Sequence, residues 1–180
     1  MKNIIAFSGT HGTGKSSAAY KFTADLKLNT FNVIVIDEFA RECPLPINKC
    51  ANQDTQYWLI CSQIKRELEV ANKYNYIISD RSIFDSLAYG LVLNILDESL
   101  AYFIANYLNL KYKHILLLDP SSFNYSVNDG TRDLDPLFRL KVHERLLYLY
   151  NKYNIKYELI LNHNQIKSYL NKIIGEKNNG

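Results

Sequence analysis

The segment Gly9-Thr10-His11-Gly12-Thr13-Gly14-Lys15-Ser16 constrains this chain more than any other. It places three of only seven glycines within six residues and satisfies GxxxxGK[ST] in full. An apolar run, Ile4 to Phe7, stands directly before it, and Lys15 to Leu28 can form one helix directly after it. A glycine loop between a strand and a helix turns successive backbone N–H groups inward around an anion, and the helix N-terminus adds partial positive charge at the same point. Such a loop binds phosphates through Gly9 to Ser17, with Lys15 reaching the terminal ones and the Ser16 hydroxyl facing a divalent cation. His11 sits in mid-loop, where it either touches a substrate or projects to solvent.

The rest of the chain supplies the scaffold such a loop needs. Val33 to Ile36, Tyr76 to Ile78 and Ile115 to Leu118 are short, branched and apolar, as parallel strands buried on both faces are, and Ile155 to Ile160 is a weaker fifth. Helical patterns separate them: Trp58, Cys61, Ile64, Leu68 and Ala71 recur at three- and four-residue spacing, and Leu100, Phe103, Ile104, Tyr107 and Leu108 trace another face. Asp135-Pro136 opens a helix over 137–150, and 165–174 closes the chain. Strand and helix alternating in this way predict an α/β three-layer fold, a parallel sheet of about five strands with helices on both faces, in a single domain over 1–180. At 180 residues, 47% hydrophobic and 22% charged, the chain has enough apolar surface for one core.

Charge and cysteine usage bound the function. The excess of basic over acidic residues is only +3, too small to imply a nucleic-acid groove by itself. The first apolar run ends at Ser8-Gly9, short of a signal peptide, and no run reaches membrane-spanning length. Cys43, Cys50 and Cys61 are odd in number and lack metal-ligand spacing, so they read as reduced thiols of a cytoplasmic protein.

In open parallel sheets, ligands sit beyond the carboxyl ends of the strands. Asp37-Glu38 follow the second apolar run, where either carboxylate can take a proton from an acceptor hydroxyl or, as the plainer alternative, cap a helix or pair with Arg41. Asp80-Arg81 follow the third run, the aspartate placed to order Mg²⁺ and the arginine to fork onto phosphate oxygens. Cys43 to Gln56, with Pro44 and Pro46, lies where an acceptor-binding insertion belongs. Tyr57 and Trp58 could stack on a base, although the spacing of Trp58 favours the core. The polar segment from Asp119 to Asp135 holds the turn signal Asn128-Asp129-Gly130 and reads as a lid over about 120–135. Arg132 within it and Arg139 just beyond it would fold over the phosphates, the plainer alternative being solvated arginines, with Arg139 inside the helix that begins near Asp135.

These motifs carry a family resemblance. Asp80-Arg81-Ser82-Ile83-Phe84-Asp85-Ser86-Leu87-Ala88-Tyr89-Gly90 resembles the signature of thymidylate-kinase-like P-loop kinases, and deoxynucleoside kinases carry a related motif. Asp37-Glu38-Phe39-Ala40-Arg41 and Asp129-Gly130-Thr131-Arg132-Asp133 are similar to patterns in domains grouped with the ribosylnicotinamide kinase half of the bifunctional bacterial NAD regulator. The resemblance runs from Gly9 to about Arg145. It implies Mg²⁺-dependent transfer of a phosphoryl group from ATP or another nucleoside triphosphate to a small acceptor, commonly a nucleoside or nucleotide. By matching position, Lys15 and Ser16 serve phosphates and Mg²⁺, Asp80 serves the metal shell, and Arg81 serves the acceptor or the transferred phosphate. The chain lacks the proline-glycine motif that usually follows the second strand of thymidylate kinases, which argues against a thymidylate acceptor. Two other readings stay open: a kinase of nucleic-acid ends or bases, less favoured because Lys65 and Arg66 are balanced by Glu67 and Glu69, and a regulatory nucleotide-binding or hydrolysing protein. A homodimer is compatible with the sequence.

Overall fold

A computed structural model describes residues 2–47, 50–123, 125 and 135–178. Five parallel strands form one sheet in the order β2-β3-β1-β4-β5, with β1 Ile4–Ser8, β2 Val33–Ile36, β3 Tyr76–Asp80, β4 Tyr112–Leu118 and β5 Glu158–Ile160. β1 is central: Ile4 to Phe7 register with Ile77 to Asp80 on one side, and Ile5 to Ser8 with His114 to Leu117 on the other. The three-layer α/β fold expected from the strand and helix alternation is therefore present.

Because strand side chains alternate between faces, β1 serves two cores. Ile5 and Phe7 join α1 (Lys15–Leu28) and α6 (His163–Asn178) through Phe22, Leu26, Leu170 and Ile173. Ile4 and Ala6 face α2 (Gln53–Val70), α3 (Ile83–Val92), α4 (Ala101–Lys111) and α5 (Pro136–Lys152) through Ile60, Leu87, Ile104 and Leu146. The predicted start of α5 is present: the Asp135 carboxylate accepts from Leu137 N–H at 2.9 Å, and Pro136 stands at the first turn.

Two sequence expectations change. α3 has no counterpart among the predicted helices: it is only ten residues long and mostly apolar, and a short apolar run is ambiguous between strand and helix. α2 turns a different face inward from the one its apolar residues trace. Cys61 and Leu68 are exposed, and the buried positions are Thr55, Gln56, Ile60, Gln63, Glu67 and Val70. Three polar members of that face have partners: Thr55 bonds to Pro46 and Asn52, Gln63 to Ser79 and Arg81 at the end of β3, and Glu67 to Tyr112 at the start of β4, and this outweighs the apolar periodicity. Cys43, Cys50 and Cys61 are free thiols. No helix among the described residues is long and apolar enough to cross a membrane.

Candidate active site

The glycine loop connects β1 to α1. Gly9, Gly12 and Gly14 have φ of 138°, 71° and 76°, a region that L side chains rarely adopt. At Gly9 there is a second constraint, since a Cβ would stand 3.0 Å from the backbone oxygen of Leu118. The Thr13 hydroxyl donates to the Thr10 carbonyl at 2.9 Å, closing the loop on itself. The Lys15 ammonium folds back to donate to the same carbonyl at 2.6 Å. Burial and then the nearby Arg81 charge lower the Lys15 pKa from 10.5 to about 8. A cation so placed is short of negative charge, which a phosphate would supply.

A wholly buried carboxylate, Asp85, ties this loop to α3. Its Oδ1 accepts from Gly9 N–H at 2.8 Å, and its Oδ2 accepts from the Ser8 hydroxyl at 2.9 Å and from the Ser82 N–H and hydroxyl at 2.7 Å each. The Tyr150 hydroxyl lies 2.7 Å from both serine oxygens. Neither Asp85 nor Tyr150 was singled out from sequence as a site residue. The Ser82-Ile83-Phe84-Asp85 spacing, a capping box at the start of α3, was the available signal for Asp85. His11 is buried rather than projecting to solvent. Its backbone N–H donates to the Tyr89 hydroxyl at 2.9 Å, its Nδ1 lies 2.8 Å from the same oxygen, and its ring stacks on Phe138 at 6.3 Å.

The acidic and basic strand ends meet on the β2 and β3 side of the loop, in a cavity of about 480 Å³ bordered by His11, Asp37, Glu38, Asp80 and Arg81. The Nε and one terminal nitrogen of Arg81 both reach Glu38 Oε1 at 2.6 Å, and Asp85 Oδ1 lies 3.9 Å from another. The guanidinium also stands over the Tyr89 ring, 5.3 Å from its centroid. Burial opposes ionisation of both partners. Arg81 and Lys15 nonetheless hold the Glu38 carboxyl below its usual range, and Glu38 holds the guanidinium charged. Arg81 leaves its strand with φ of 112°, a strained conformation for a residue with a side chain. Asp37 is exposed and accepts from the Tyr20 hydroxyl, so of the two adjacent carboxylates it is Glu38 that pairs with Arg81.

Asp80 hydrogen-bonds Ser16. Burial raises its pKa against the opposing pull of Lys15 and Ser16, and its buried Oδ1 has no hydrogen-bond partner. One carboxylate and one hydroxyl are hard oxygen donors, and Mg²⁺ commonly takes only one or two protein ligands beside phosphate and water. The residues present therefore fit that ion.

Farther into the cavity, Gln56 is 4% exposed and its Oε1 lacks a hydrogen-bond partner. Trp58 is half-buried and meets Phe39, a cavity residue, edge-on at 6.5 Å. Tyr57 is partly exposed and accepts from Gln53 at 2.7 Å. Ser17 is exposed and borders a second cavity, of about 630 Å³, between α1 and α6. On the same flank Tyr125 donates its N–H to the Gly12 carbonyl at 2.8 Å, and its hydroxyl lies 2.8 Å from His163 Nε2. Arg139 is buried inside α5, donates to the Phe123 carbonyl at 3.4 Å, and does not border the 480 Å³ cavity. Arg132, with the expected Asp129 to Asp133 motif, lies outside the described residues.

Comparison with known proteins agrees with this arrangement. Residues 4–165 match the AAA domain family. No curated protein matches the chain by sequence. Among solved structures it is similar to deoxyadenosine kinase from M. mycoides with bound dATP, at TM-score 0.63 and 19% identity over 95% of this chain and 98% of that one. It is similar to thymidylate kinase from Ehrlichia chaffeensis at TM-score 0.64 and 16% identity, over 96% and 98% of the two chains. It is also similar to NadR in complex with NAD and AMP-PNP, at TM-score 0.71 and 15% identity, over 93% of this chain but about half of NadR (48%). At these identities the likeness establishes a fold shared with P-loop kinases. Together with a glycine loop held at the tip of the central strand and a family match over nearly the whole sequence, it shows that the chain belongs to the AAA domain family.

Proposed function

We propose that the protein transfers the γ-phosphoryl group of ATP to a small nucleoside or nucleotide bound in the 480 Å³ cavity beside the phosphate loop. The observation that carries this reading is the Glu38–Arg81 pair, which stands in a ligand-sized cavity next to Lys15 and Asp80. A protein that only binds or hydrolyses a nucleotide has no need of a second pocket lined by an acid, a cation and a buried amide. Gln56 supports a planar acceptor, since its unpartnered carbonyl and its amide group complement the edge of a base or a carboxamide.

In this reading the loop amides and Lys15 hold the donor's phosphates. Ser16 and Asp80 would hold Mg²⁺, which when bound neutralises phosphate charge and orients the oxygens for in-line transfer. Glu38, kept ionised, accepts the proton of an acceptor hydroxyl, and an acceptor that is already a phosphate needs no base. Arg81 binds the acceptor or the transferred group. His11, fixed by Tyr89, borders the acceptor near the loop. The donor's base lies on the opposite flank, beside Tyr125 and His163. Arg132 is assigned a charge-neutralising role on sequence alone, and Arg139 supports the helix that follows the same segment.

The test is a transfer screen with γ-labelled ATP and Mg²⁺ over nucleosides, nucleoside monophosphates, nicotinamide riboside and short oligonucleotides. We expect label in at least one small acceptor, abolished by Lys15→Ala. Glu38→Gln should lower kcat for a hydroxyl acceptor by about 100-fold or more, the usual size of lost general-base assistance. Label released only as inorganic phosphate, whatever acceptor is present, would overturn the assignment.

A further inference from the structure

Buried acids in protein cores normally have a cation beside them, and Glu67 has none among the groups that act on it. It lies on the buried face of α2, fully enclosed. Its Oε1 accepts from the Tyr112 hydroxyl of β4 at 2.5 Å and from the Gln63 amide of its own helix at 3.0 Å, while its Oε2 has no hydrogen-bond partner among the described residues and the nearby Tyr107 of α4 acts on it electrostatically. The titratable groups of the other packed helices are engaged elsewhere. Asp85 and Tyr89 of α3 hold the phosphate loop, and Tyr150 of α5 bonds to Ser8 and Ser82.

Gln63 connects this acid to the candidate active site. Besides Glu67, its amide nitrogen lies 2.9 Å from the backbone oxygen of Arg81, 3.2 Å from the Ser79 hydroxyl and 3.3 Å from the Tyr112 hydroxyl. An amide has two hydrogens, so four acceptors compete for them. The Arg81 carbonyl belongs to the one residue here that leaves its strand in a strained conformation, and that backbone aims the guanidinium at Glu38.

We propose that Gln63 and Glu67, one turn apart on α2, act as positioning residues that hold the Arg81 backbone, and that protonation of Glu67 loosens this hold and weakens acceptor binding. The proposal rests on the reading of Arg81 as the acceptor-side cation. An ionised Glu67 draws one amide hydrogen of Gln63 and the Tyr112 hydroxyl hydrogen, which leaves the other amide hydrogen fixed on the Arg81 carbonyl. A protonated Glu67 is a poorer acceptor, so the Gln63 amide is free to rotate toward Ser79 or Tyr112. Burial raises the Glu67 pKa to about 7 against the hydrogen bonds from Tyr112 and Gln63, so this change falls in the neutral range.

The test has two arms. In the first, protein labelled with ¹⁵N and with carboxyl-¹³C glutamate is titrated from pH 5.5 to 8.5. The Glu67 carboxyl and the Arg81 and Ser82 backbone amides should shift with one midpoint, and Glu67→Gln, with its folding checked by circular dichroism, should abolish the amide shifts. That variant separates an effect of Glu67 from one of His11, whose ring nitrogen lies 2.8 Å from the Tyr89 hydroxyl. Amide shifts that persist in Glu67→Gln, or that do not follow the Glu67 carboxyl, would overturn the proposal. In the second arm, with an acceptor found by the transfer screen, acceptor KM should rise about fivefold between pH 8 and pH 6, the change a one-unit coupling to a group with pKa about 7 gives over that range. The KM for ATP should stay within about twofold, and Glu67→Gln should flatten the acceptor profile. Acceptor KM unchanged across that range would overturn the link to binding. A screen that phosphorylates no acceptor would defeat the kinase assignment and leave the spectroscopic arm fully readable.

Discussion

Lys15 offers a quantitative test of the phosphate loop that needs no knowledge of the acceptor. Its pKa is about 8 in the free protein against 10.5 in an unstructured chain, so burial and Arg81 cost the charged form about 3 kcal/mol. A bound triphosphate adds negative charge at the ammonium and should return the pKa to 10.5 or above. At pH 8.5 the free protein then carries the Lys15 proton in about one quarter of molecules and the complex in nearly all, so binding takes up about three quarters of a proton. At pH 7 the same group contributes only about a tenth. Titration calorimetry with AMP-PNP and Mg²⁺, in two buffers of different ionisation enthalpy at each pH, reads this number directly. Lys15→Arg keeps the charge without titrating and should remove the uptake. Uptake below about 0.2 proton at pH 8.5, or equal uptake in Lys15→Arg, would refute the placement of Lys15 against the donor phosphates. The unliganded protein follows the same linkage: between pH 8 and 10.5 the unfolded chain holds a proton that the folded chain has lost, so Lys15 makes stability rise with pH across that window.

Further outcomes follow from the supports of the loop. Asp85→Asn leaves four N–H and hydroxyl donors facing an amide with a single acceptor oxygen, and should cost about 3–5 kcal/mol, read as a lower urea midpoint at unchanged m-value. Gly9→Ala puts a Cβ 3.0 Å from the Leu118 carbonyl at φ 138°. It should weaken AMP-PNP binding by at least about tenfold while far-ultraviolet circular dichroism stays unchanged. The protein has one tryptophan, Trp58, against the cavity residue Phe39. Its fluorescence should therefore change when an acceptor binds, and should change far less when AMP-PNP binds alone.

The parts that sequence reveals and conceals divide along physical lines. The loop was legible because a backbone that wraps an anion requires glycine at left-handed positions, and few other needs concentrate three glycines so tightly. Strands β1 to β4 were legible as continuous branched runs, since burial on both faces removes polar alternation. The acidic and basic strand ends were legible by position, though not which carboxylate would engage Arg81. That choice depends on Tyr20, which is far from Asp37 in sequence and captures it through a hydroxyl. The inward face of α2 was concealed because its buried residues include Gln56, Gln63 and Glu67, which periodicity counts as solvent-facing. The burial of Gln63 and Glu67 is acceptable because Ser79, Arg81 and Tyr112 supply partners, and those partners come from strands and strand ends that meet α2 only in the folded chain.

The order β2-β3-β1-β4-β5 gives the two ligands separate neighbourhoods. Everything proposed for the acceptor hangs from the tips of β2 and β3 and from α2, whereas the donor's base would rest against segments that follow β4 and β5. Only the tip of β1 is common ground. Residues on one flank are thus free to drift, enlarging or reshaping what is recognised there, while the opposite flank goes on gripping the same nucleotide. A lineage built on this plan could change its substrates without relearning how to hold its fuel.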